Sequence, residues 1–264
     1  MKGYLRHARR LMMLFGVDPR KTINTLRGLP PYWSDLRTLK RQQRTSNVCF
    51  PFGRPWPCLN ERFSDSGTAK GDYFHQDLLI ARRIFANSPK LHVDIGSRID
   101  GFVAHVASFR EIEVFDIRPL ESNIPNVKFT RADLMGELDK ALVDYCDSLS
   151  CLHALEHFGL GRYGDPVKFE GYLDGLNNMY MILKKNGKFY FSVPIGPQQI
   201  RFNAHRVFSV EHLLELFDGK YTIDIFSYVD DGGDLYENVQ LTNSGVKDNF
   251  GCHYGCGIFE MTKL

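Results

Sequence analysis

The sequence lacks any apolar run that approaches the ~20 residues needed to cross a bilayer. The nearest candidate, Leu11-Met-Met-Leu-Phe15, is far too short. It follows Arg6, Arg9 and Arg10, as the apolar part of a signal peptide would. However, it is followed by neither a long apolar stretch nor a small-residue cleavage site. We therefore predict neither a membrane span nor a secretory signal.

The sequence also lacks a cysteine pattern typical of secreted or metal-binding domains. Its six cysteines are scattered along the chain, so they do not predict a disulfide framework. Cys252-His-Tyr-Gly-Cys256 has a loose spacing and no second pair of ligands accompanies it, so we predict no metal site. Such a chain is expected to be a reduced, cytoplasmic protein.

The chain as a whole lacks an excess of charge of one sign, because its formal net charge is only +2. This balance argues against nucleic acid as a partner. Residues 1–45 differ, since eleven Lys and Arg residues there are balanced only by Asp18 and Asp35. A solvated basic helix is the simplest interpretation. A peripheral contact with the inner face of a membrane, with polysaccharide or with another subunit of a homodimer stays open.

Composition divides the chain into two parts. Residues 1–72 are predicted to form a basic N-terminal extension of short helices, broken at Gly28, Pro30 and Pro31, and then a connector rich in Pro and Gly. Residues 73–264 are predicted to form one catalytic α/β domain, which is large enough for a full hydrophobic core.

Helix-like and strand-like patterns alternate from residue 73 onward. Strands separated by helices indicate a mainly parallel sheet, here of seven strands. The last two strands, joined without a helix, predict an antiparallel hairpin at one edge. Sheets of this kind bind ligands at the carboxyl ends of their first strands. Helices are predicted at 73–86, 102–109, 172–183 and 210–217, and strands at 91–95, 112–115, 127–130, 146–151, 187–193, 221–228 and 257–262.

The clearest ligand-binding pattern is the turn between the first strand and its helix, Val93–Phe102. Gly96 would let a ligand approach the backbone, and Gly101 stands where the turn meets the helix. A dinucleotide site would have glycine at the middle position, where Arg98 stands, and a bulky side chain there disfavours a bound diphosphate. Asp94 would suit the ammonium group of S-adenosylmethionine, directly or through water.

Two further acids strengthen the prediction of an adenosyl site. Asp116 ends the second strand, where a carboxylate can accept hydrogen bonds from ribose hydroxyls. Asp133 follows the third strand, where it could accept one from the adenine amine. Each acid alone would be an ordinary surface charge, but acids at three successive strand ends favour adenosine. The predicted cofactor site consists of Asp94, Gly96, Ser97, Arg98, Gly101, Asp116, Ile117, Asp133, Leu134 and His153.

Residues after the fourth and fifth strands are candidates for catalysis. His157 and His205 are candidate general bases, because histidine can take a proton near neutral pH, and Asp165 could orient one of them. Structural roles stay open: Glu156 and His157 could anchor the loop or cap a helix, and His205 could be a buried, hydrogen-bonded histidine. The predicted substrate-binding residues, which could bind a polar or anionic group, are Arg162, Tyr163, Asn203 and Arg206.

Several long stretches of the chain resemble domain-of-unknown-function family 268. They are Tyr73–Asp77, His92–Phe102, Phe115–Pro119, Leu152–Asp165, Phe189–Gly196 and Phe202–Arg206. The family looks like a branch of the class I methyltransferases whose bacterial members tend to accompany surface-polysaccharide genes. The resemblance therefore implies an α/β, Rossmann-like class I methyltransferase fold and S-adenosyl-L-methionine as the cofactor.

Two segments refine this resemblance. Leu155–His157 also resembles the segment after the fourth strand in small-molecule O-methyltransferases. Arg98 and Asp100 stand where methyltransferases usually have glycine, and Arg98 could instead reach the methionyl carboxylate.

These observations predict an S-adenosylmethionine-dependent methyltransferase that methylates a hydroxyl of a sugar or surface-glycan precursor. A metal-assisted reaction is not predicted, because the sequence offers no convincing set of Asp, Asn and Glu ligands. Two alternatives stay open. One is a nucleotide- or adenosyl-linked sugar-processing enzyme on the same fold. The other is a non-catalytic scaffold for glycan assembly, tethered to a membrane by its basic N-terminus.

Overall fold

The computed structural model describes residues 12–64, 67 and 69–264. The chain divides into two compact units, Met1–Thr68 and Ala69–Leu264. The basic residues from Lys2 to Arg10, which contribute to the predicted basic segment, lie outside the described residues, as does Leu11.

The first unit contains one long helix, α1 (Pro19–Thr45). The Asp18 carboxylate begins this helix by accepting hydrogen bonds from two backbone N–H groups of the first turn. The prediction of short helices is wrong, because Gly28, Pro30 and Pro31 all lie inside this 27-residue helix. Proline has a φ that suits a helix, but each interior proline loses a hydrogen bond and crowds the preceding turn at a cost of about 3 kcal/mol, which the other turns of this helix must offset.

The second unit alternates helices and strands around one large sheet. Its helices are α2 (Asp72–Asn87), α3 (Ala104–Ala107), α4 (Gly171–Ile182), α5 (Val210–Phe217) and α6 (Asn243–Lys247). Its strands are β1 (His92–Ile95), β2 (Ile112–Asp116), β3 (Val127–Arg131), β4 (Cys146–Leu152), β5 (Leu183–Ile195), β6 (Gln199–Arg201), β7 (His205–Val207), β8 (Tyr221–Val229), β9 (Leu235–Tyr236) and β10 (Gly255–Lys263). A π-helical turn, Ile99–Val103, leads into α3, and a 3-10 turn, Leu155–His157, follows β4.

Eight strands form the sheet in the order β3-β2-β1-β4-β5-β10-β8-β9. Strands β1 to β5 are parallel, whereas β10 is antiparallel to both of its neighbours. The chain order reverses between β1 and β4. This reversal opens a crevice at the carboxyl ends of these strands, where sheets of this type bind ligands. Strands β6 and β7 form a separate two-stranded sheet.

The predicted mainly parallel sheet is present, and its antiparallel part differs from the prediction in two details. Strand β10 lies inside the sheet, between β5 and β8, and the short additional strand β9 forms the edge. Strands β8 and β10 are also separated in sequence by β9 and α6 rather than joined directly. A strand with neighbours on both sides is buried, and β10 is buried at eight of its nine positions.

Helices cover both faces of the sheet and give it two apolar layers. Ile80 and Ile84 of α2 belong to a buried cluster with residues of β2. Met179 of α4 and Phe217 of α5 belong to a second buried cluster with residues of β5 and β10. Burial of each such side chain contributes roughly 1.5–3 kcal/mol, so these layers fix the sheet and its strand ends. Among the described residues, no helix is long and apolar enough to cross a membrane.

The loop after β4 depends on glycines and one carboxylate. Gly159, Gly161 and Gly164 all have positive φ values. The Asp165 carboxylate accepts hydrogen bonds from three backbone N–H groups of the loop, at 2.9, 3.2 and 3.1 Å. A Cβ atom at Gly159 would lie 2.0 Å from the Lys168 carbonyl oxygen, so this position requires glycine.

We predict that Gly159→Ala destabilises the protein more than Gly164→Ala does. Both positions have a left-handed backbone, so each alanine carries a conformational cost of roughly 1–2 kcal/mol. At Gly159 the new methyl group also meets the Lys168 carbonyl, whereas no atom lies within 4 Å of a Cβ at Gly164. In urea titrations, Gly159→Ala should lower the free energy of unfolding by about 2 kcal/mol more than Gly164→Ala. Equal losses would contradict the packing of this loop.

Candidate functional site

A cleft opens at the carboxyl ends of β1 to β4, beside the reversal of chain order in the sheet. The space between its walls, including solvent at the open mouth, is about 770 Å³. Its wall combines polar residues that follow the strands with apolar side chains such as Ile95, Phe115 and Phe158.

The structure brings most of the predicted cofactor residues to this cleft. Its lining includes Gly96, Arg98, Asp116, Ile117, Asp133, Leu134 and His153. Asp94, Ser97 and Gly101 are not part of the lining. Of the residues predicted for catalysis and substrate binding, His157, Tyr163 and Asp165 line the cleft, whereas Arg162, Asn203, His205 and Arg206 do not.

The Asp94 carboxylate shapes the turn from behind. It is fully buried and accepts hydrogen bonds from the Ser97 N–H at 2.9 Å, the Ser97 hydroxyl at 2.8 Å and the Ser150 hydroxyl at 2.5 Å. Burial raises the pKa of Asp94 to about 6, although the hydrogen bonds from Ser150 and Ser97 act to lower it. The Gly96 backbone, at φ +72°, therefore lines the cleft, and the Asp94 carboxylate does not.

A buried histidine continues this hydrogen-bond network within the sheet. His92 Nδ1 lies 2.8 Å from the Ser148 hydroxyl and Nε2 lies 3.2 Å from the Ser150 hydroxyl. Because Ser150 donates its proton to Asp94, it accepts one from His92 Nε2–H, and Nδ1 accepts from Ser148. Burial lowers the pKa of His92 to about 3, so the ring is neutral. Sequence reasoning missed this residue, since its partners lie 56 and 58 positions away.

Arg98 and Gly101, the other two residues predicted to matter in this turn, have different surroundings. Arg98 lines the cleft and forms two hydrogen bonds with Asp100, at 3.0 and 2.8 Å, and both side chains are exposed. Gly101 lies against the protein interior, because a Cβ atom there would be 2.9 Å from Asp77 Oδ2. The absence of a side chain at Gly101 therefore lets the turn pack closely against α2, and Gly101 does not line the cleft.

The Asp116 carboxylate lines the cleft and is paired with a residue that sequence reasoning missed. Its Oδ1 accepts hydrogen bonds from the Arg118 backbone N–H at 2.8 Å and from Arg118 Nε at 3.0 Å, and its Oδ2 lies 2.5 Å from Arg118 Nη2. The Arg118 guanidinium also lies 4.5 Å from the centre of the Tyr163 ring. Arg118 thus connects the end of β2 with the loop after β4.

Asp133 and two apolar neighbours form the far part of the cleft. Asp133 is exposed, and its Oδ1 accepts a hydrogen bond from the Met135 N–H at 2.9 Å. Ile117 and the buried Leu134 line the same part of the sheet edge. This arrangement offers an apolar slot with a carboxylate at its rim.

Three buried side chains after β4 form a polar cluster at the cleft. His153 Nδ1 lies 3.0 Å from Glu156 Oε1, and His157 Nε2 lies 3.7 Å from the same oxygen. His157 Nδ1 lies 2.7 Å from the Ala204 carbonyl oxygen. Burial lowers the pKa of His157, although Glu156 opposes this. Burial would raise the pKa of Glu156, but His153 keeps it below its usual value.

Two predicted residues have structural partners instead of facing the cleft. The Arg206 guanidinium donates to the carbonyl oxygens of Phe158 and Phe169, at 2.5 and 2.8 Å. The His205 ring packs on Tyr254, with 5.0 Å between ring centres, and burial lowers its pKa to about 4.

The remaining predicted residues act on the loops or lie on the surface. Asn203 is exposed, and Arg162 donates to the Ala204 carbonyl oxygen at 2.9 Å. Asp165 lines the cleft, but its hydrogen bonds go to loop N–H groups and none reaches a histidine. Within the described ranges, no group of three or more His, Cys, Asp and Glu side chains is placed to hold a metal ion.

Solved structures resemble this chain over most of its length. The crystal structure of 1,6-didemethyltoxoflavin-N1-methyltransferase from Burkholderia thailandensis, with bound 1,6-didemethyltoxoflavin and S-adenosylhomocysteine, has a TM-score of 0.52 at 16% sequence identity. The match covers 72% of this chain and 78% of that chain. The chain has the Rossmann-like fold of class I methyltransferases. The prediction of the fold class is therefore confirmed.

A second solved structure shows that the fold by itself leaves the reaction open. The [4+2]-cyclase SpnF matches with a TM-score of 0.51 at 13% identity, over 72% of this chain and 80% of that chain. One fold hosts many reactions, so likeness at this level of identity establishes the fold alone.

Sequence comparisons give a partial family match. A family model described as "Caenorhabditis protein of unknown function, DUF268" matches residues 124–249, a little less than half of the chain. The match includes the resembling stretches from Leu152 onward, while those before residue 124 lie outside it. No curated protein sequence matches the chain.

We predict that the stability difference between the wild-type protein and Asp94→Asn depends on pH. The folded-state pKa of about 6 exceeds the ordinary value of 3.8, so folding favours the protonated acid. The wild type should therefore lose up to about 3 kcal/mol relative to the asparagine variant as the pH rises from about 4 to above 6. Urea unfolding of both proteins at several pH values measures this. A difference that stays constant across this window would refute the assigned burial of Asp94.

Proposed function

We propose that the cleft binds S-adenosylmethionine and that the chain transfers its methyl group to a hydroxyl oxygen. The observation that carries the proposal is the meeting of Asp116 and Asp133 with the Gly96 turn in one cleft. The fold likeness supports this ligand, because the Burkholderia methyltransferase was crystallised with S-adenosylhomocysteine.

The residues of the cleft fit the adenosine part of this ligand. Asp116 suits the ribose hydroxyls. Its Oδ2 would accept hydrogen bonds from them in place of the one from the Arg118 guanidinium, while Oδ1 keeps its hydrogen bond from the Arg118 backbone N–H. Ile117 and Leu134 would flank the flat adenine ring. Asp133 has Oδ2 left to accept a hydrogen bond from the adenine amine, since its Oδ1 is the oxygen used within the loop.

The turn after β1 suits the methionyl part and disfavours a dinucleotide. The Gly96 backbone allows a close approach, and Arg98 supplies a cation for the methionyl carboxylate. The pair of Arg98 with Asp100 is exposed and therefore weak, so the guanidinium can exchange partners. A pyrophosphate would need the space that the Arg98 side chain takes.

The bound cosubstrate supplies a methyl carbon on a cationic sulfur, which an oxygen nucleophile displaces in line. The chain must place the acceptor oxygen on that line and accept its proton. The polar cluster of His153, Glu156 and His157 lies at the same cleft, so it supplies groups for both tasks.

We propose a sugar or a surface-glycan precursor as the acceptor. Hydroxyl-rich molecules suit this part of the cleft, where His153, His157 and Tyr163 offer hydrogen-bonding atoms. The resemblance to family 268 is the second support, because it links such chains to surface-polysaccharide genes. A different reaction on an adenosyl- or nucleotide-linked sugar is the alternative, since the SpnF cyclase has the same fold.

We further propose that the first unit docks on an anionic membrane surface. Residues 12–64 contain nine Lys and Arg residues and only three acids. The aromatic side chains of Phe50 and Trp56 are 82% and 88% exposed beside this charge. Exposed aromatic residues and cations together favour the boundary between lipid headgroups and acyl chains.

We predict that S-adenosylhomocysteine binds to the wild-type protein and binds more weakly to Asp116→Asn. Loss of the charged acceptor for the ribose should weaken binding by roughly 5- to 150-fold, which corresponds to 1–3 kcal/mol. Isothermal titration calorimetry measures both affinities, with the exposed Glu121→Gln as the matched control and NAD as the competing ligand class. Binding of NAD in preference to S-adenosylhomocysteine would refute the proposal.

Transfer itself is tested with S-adenosylmethionine labelled in its methyl group. The acceptor panel consists of UDP-linked and GDP-linked hexoses and free monosaccharides, and label is sought in the products by mass spectrometry. Labelled sugar supports the proposed reaction, and cofactor binding without any labelled sugar would favour the alternative reaction.

We predict that the protein sediments with vesicles containing phosphatidylglycerol and not with vesicles of phosphatidylcholine alone. Charge attraction drives this binding, so high salt should release the protein. Trp56→Ala should reduce the bound fraction, because it removes the most exposed aromatic anchor. Equal binding to both kinds of vesicle would contradict the electrostatic part of this proposal.

A further inference from the structure

His153 lies directly after the carboxyl end of β4, beside the cleft. It follows the last residue of the strand, has φ +50°, and lines the cleft although it is only 8% exposed. A non-glycine residue with positive φ carries a conformational cost, which the surrounding structure must offset. Its backbone N–H donates to the Ser192 carbonyl oxygen at 2.9 Å, which fixes the residue between β4 and β5.

A carboxylate fixes the orientation and the tautomer of this ring. Glu156 is 1% exposed, and its Oε1 lies 3.0 Å from His153 Nδ1. An ionised carboxylate only accepts hydrogen bonds, so in the neutral ring Nδ1 carries the proton and Nε2 presents its lone pair. A histidine held in this way by a buried carboxylate is the arrangement that prepares imidazole to accept a proton.

The other ring nitrogen is not used by an oxygen or nitrogen of the described part of the chain. Among the described residues, no oxygen or nitrogen forms a hydrogen bond with the buried His153 Nε2, while the Cys256 thiol lies beside the ring. The nearest carboxylate oxygen, Asp72 Oδ2, is 4.0 Å away, which is too long for a hydrogen bond. A hydroxyl oxygen about 2.8 Å from Nε2 requires a small movement of the surrounding side chains, because Nε2 is closed to solvent in this structure. The Tyr73 ring packs at 5.1 Å between centres and closes the position on one side.

The two histidines predicted as bases are less suited to this task. His157 Nδ1 lies 2.7 Å from the neutral Ala204 carbonyl oxygen, and its Nε2, 3.7 Å from Glu156 Oε1, is too far away for a hydrogen bond. Within the described residues, no carboxylate therefore accepts a hydrogen bond from this ring as Glu156 does from His153. His205 has an unpartnered Nε2, but it lies outside the lining of the cleft.

We propose that His153 is the general base of the reaction and that Glu156 is its positioning residue; this inference rests on the proposed function. The acceptor O–H gives its proton to His153 Nε2 while the acceptor oxygen forms a bond to the methyl carbon. The carbon–sulfur bond breaks and its electron pair stays on sulfur, which becomes a neutral thioether. The imidazolium that results is stabilised by Glu156 and later releases its proton to water.

The surroundings of His153 give the reaction a particular pH dependence. Burial favours the neutral ring, but Cys256 and Glu156 raise the pKa of His153 well above its ordinary value. The other titratable groups near it are Asp72, Tyr73, Asp77, His157 and Tyr254. Because a base must be unprotonated, the rate should rise with pH through the pKa of His153. Removing the charge of Glu156 should move this rise to lower pH.

The first measurement needs no acceptor. Nitrogen NMR of protein labelled with 15N-histidine reports the tautomer and the pKa of each ring, and His153→Gln identifies the signals of His153. At pH values above the pKa of the ring, we expect a neutral His153 with its proton on Nδ1, and we expect a lower pKa in Glu156→Gln. A neutral ring with its proton on Nε2 would overturn the proposal, because that nitrogen could not accept a proton.

The second measurement is turnover of the nucleotide sugar that the wild-type protein methylates. His153→Gln should lower kcat by roughly 10²–10⁴-fold while the affinity for S-adenosylhomocysteine changes by no more than about threefold. Glu156→Gln should lower kcat and shift the acid limb of the pH profile downward. The matched control is His253→Gln, a histidine whose side chain is 85% exposed and 3.9 Å from Asp231.

The outcomes separate this inference from the proposed function. Failure of the wild-type protein to bind S-adenosylhomocysteine refutes the cofactor assignment, and the NMR tautomer then still decides whether His153 can accept a proton. Normal turnover by His153→Gln overturns the base assignment while leaving methyl transfer intact. A loss of turnover in Glu156→Gln with an unshifted pH profile would overturn the positioning role.

Discussion

The buried carboxylate of Asp94 is the constraint on which the site depends. Through Ser97 it closes the turn after β1, and through Ser150 it connects this turn to β4. These two strands border the point where the chain order of the sheet reverses, so one carboxylate fixes both sides of the crevice. Burying an acid is costly unless its oxygens are hydrogen-bonded, and here three donors, with His92 behind Ser150, provide this.

The cleft in front of this network carries its charges as pairs. Arg118 forms an ion pair with Asp116, and Asp100 forms one with Arg98. Neither Asp116 nor Arg98 therefore depends on a ligand for a partner of opposite charge. Both pairs have an exposed member and can exchange partners at modest cost. The cluster of His153 and Glu156 differs, because both residues are buried and one polar atom of each has no protein partner. Buried polar atoms without partners are rare in native proteins, which makes this cluster the place where a bound acceptor would contribute most.

The fold and the reaction are decided at different levels. Apolar layers on both faces of the sheet stabilise an architecture that a methyltransferase and a [4+2]-cyclase share. The reaction depends on a few side chains beyond the strand ends, and the geometry of these is set by loops. Glycines with positive φ and the Asp165 carboxylate fix the loop after β4, which delivers Tyr163 and His157 to the cleft.

The sequence by itself determined the alternation of strands and helices, the turn at Gly96 and the acids at successive strand ends, because these follow from local periodicity and from positions along one strand. Only the tertiary structure decided that Asp94 faces Ser150, that Arg118 pairs with Asp116 in the cleft, and that Arg206 bonds to loop carbonyls. It also decided that α1 continues through Pro30 and Pro31. The proposal of His153 over His157 required knowing which ring is hydrogen-bonded to a carboxylate. Hydrogen bonds and burial depend on residues that are far apart in the chain, and no local pattern records them.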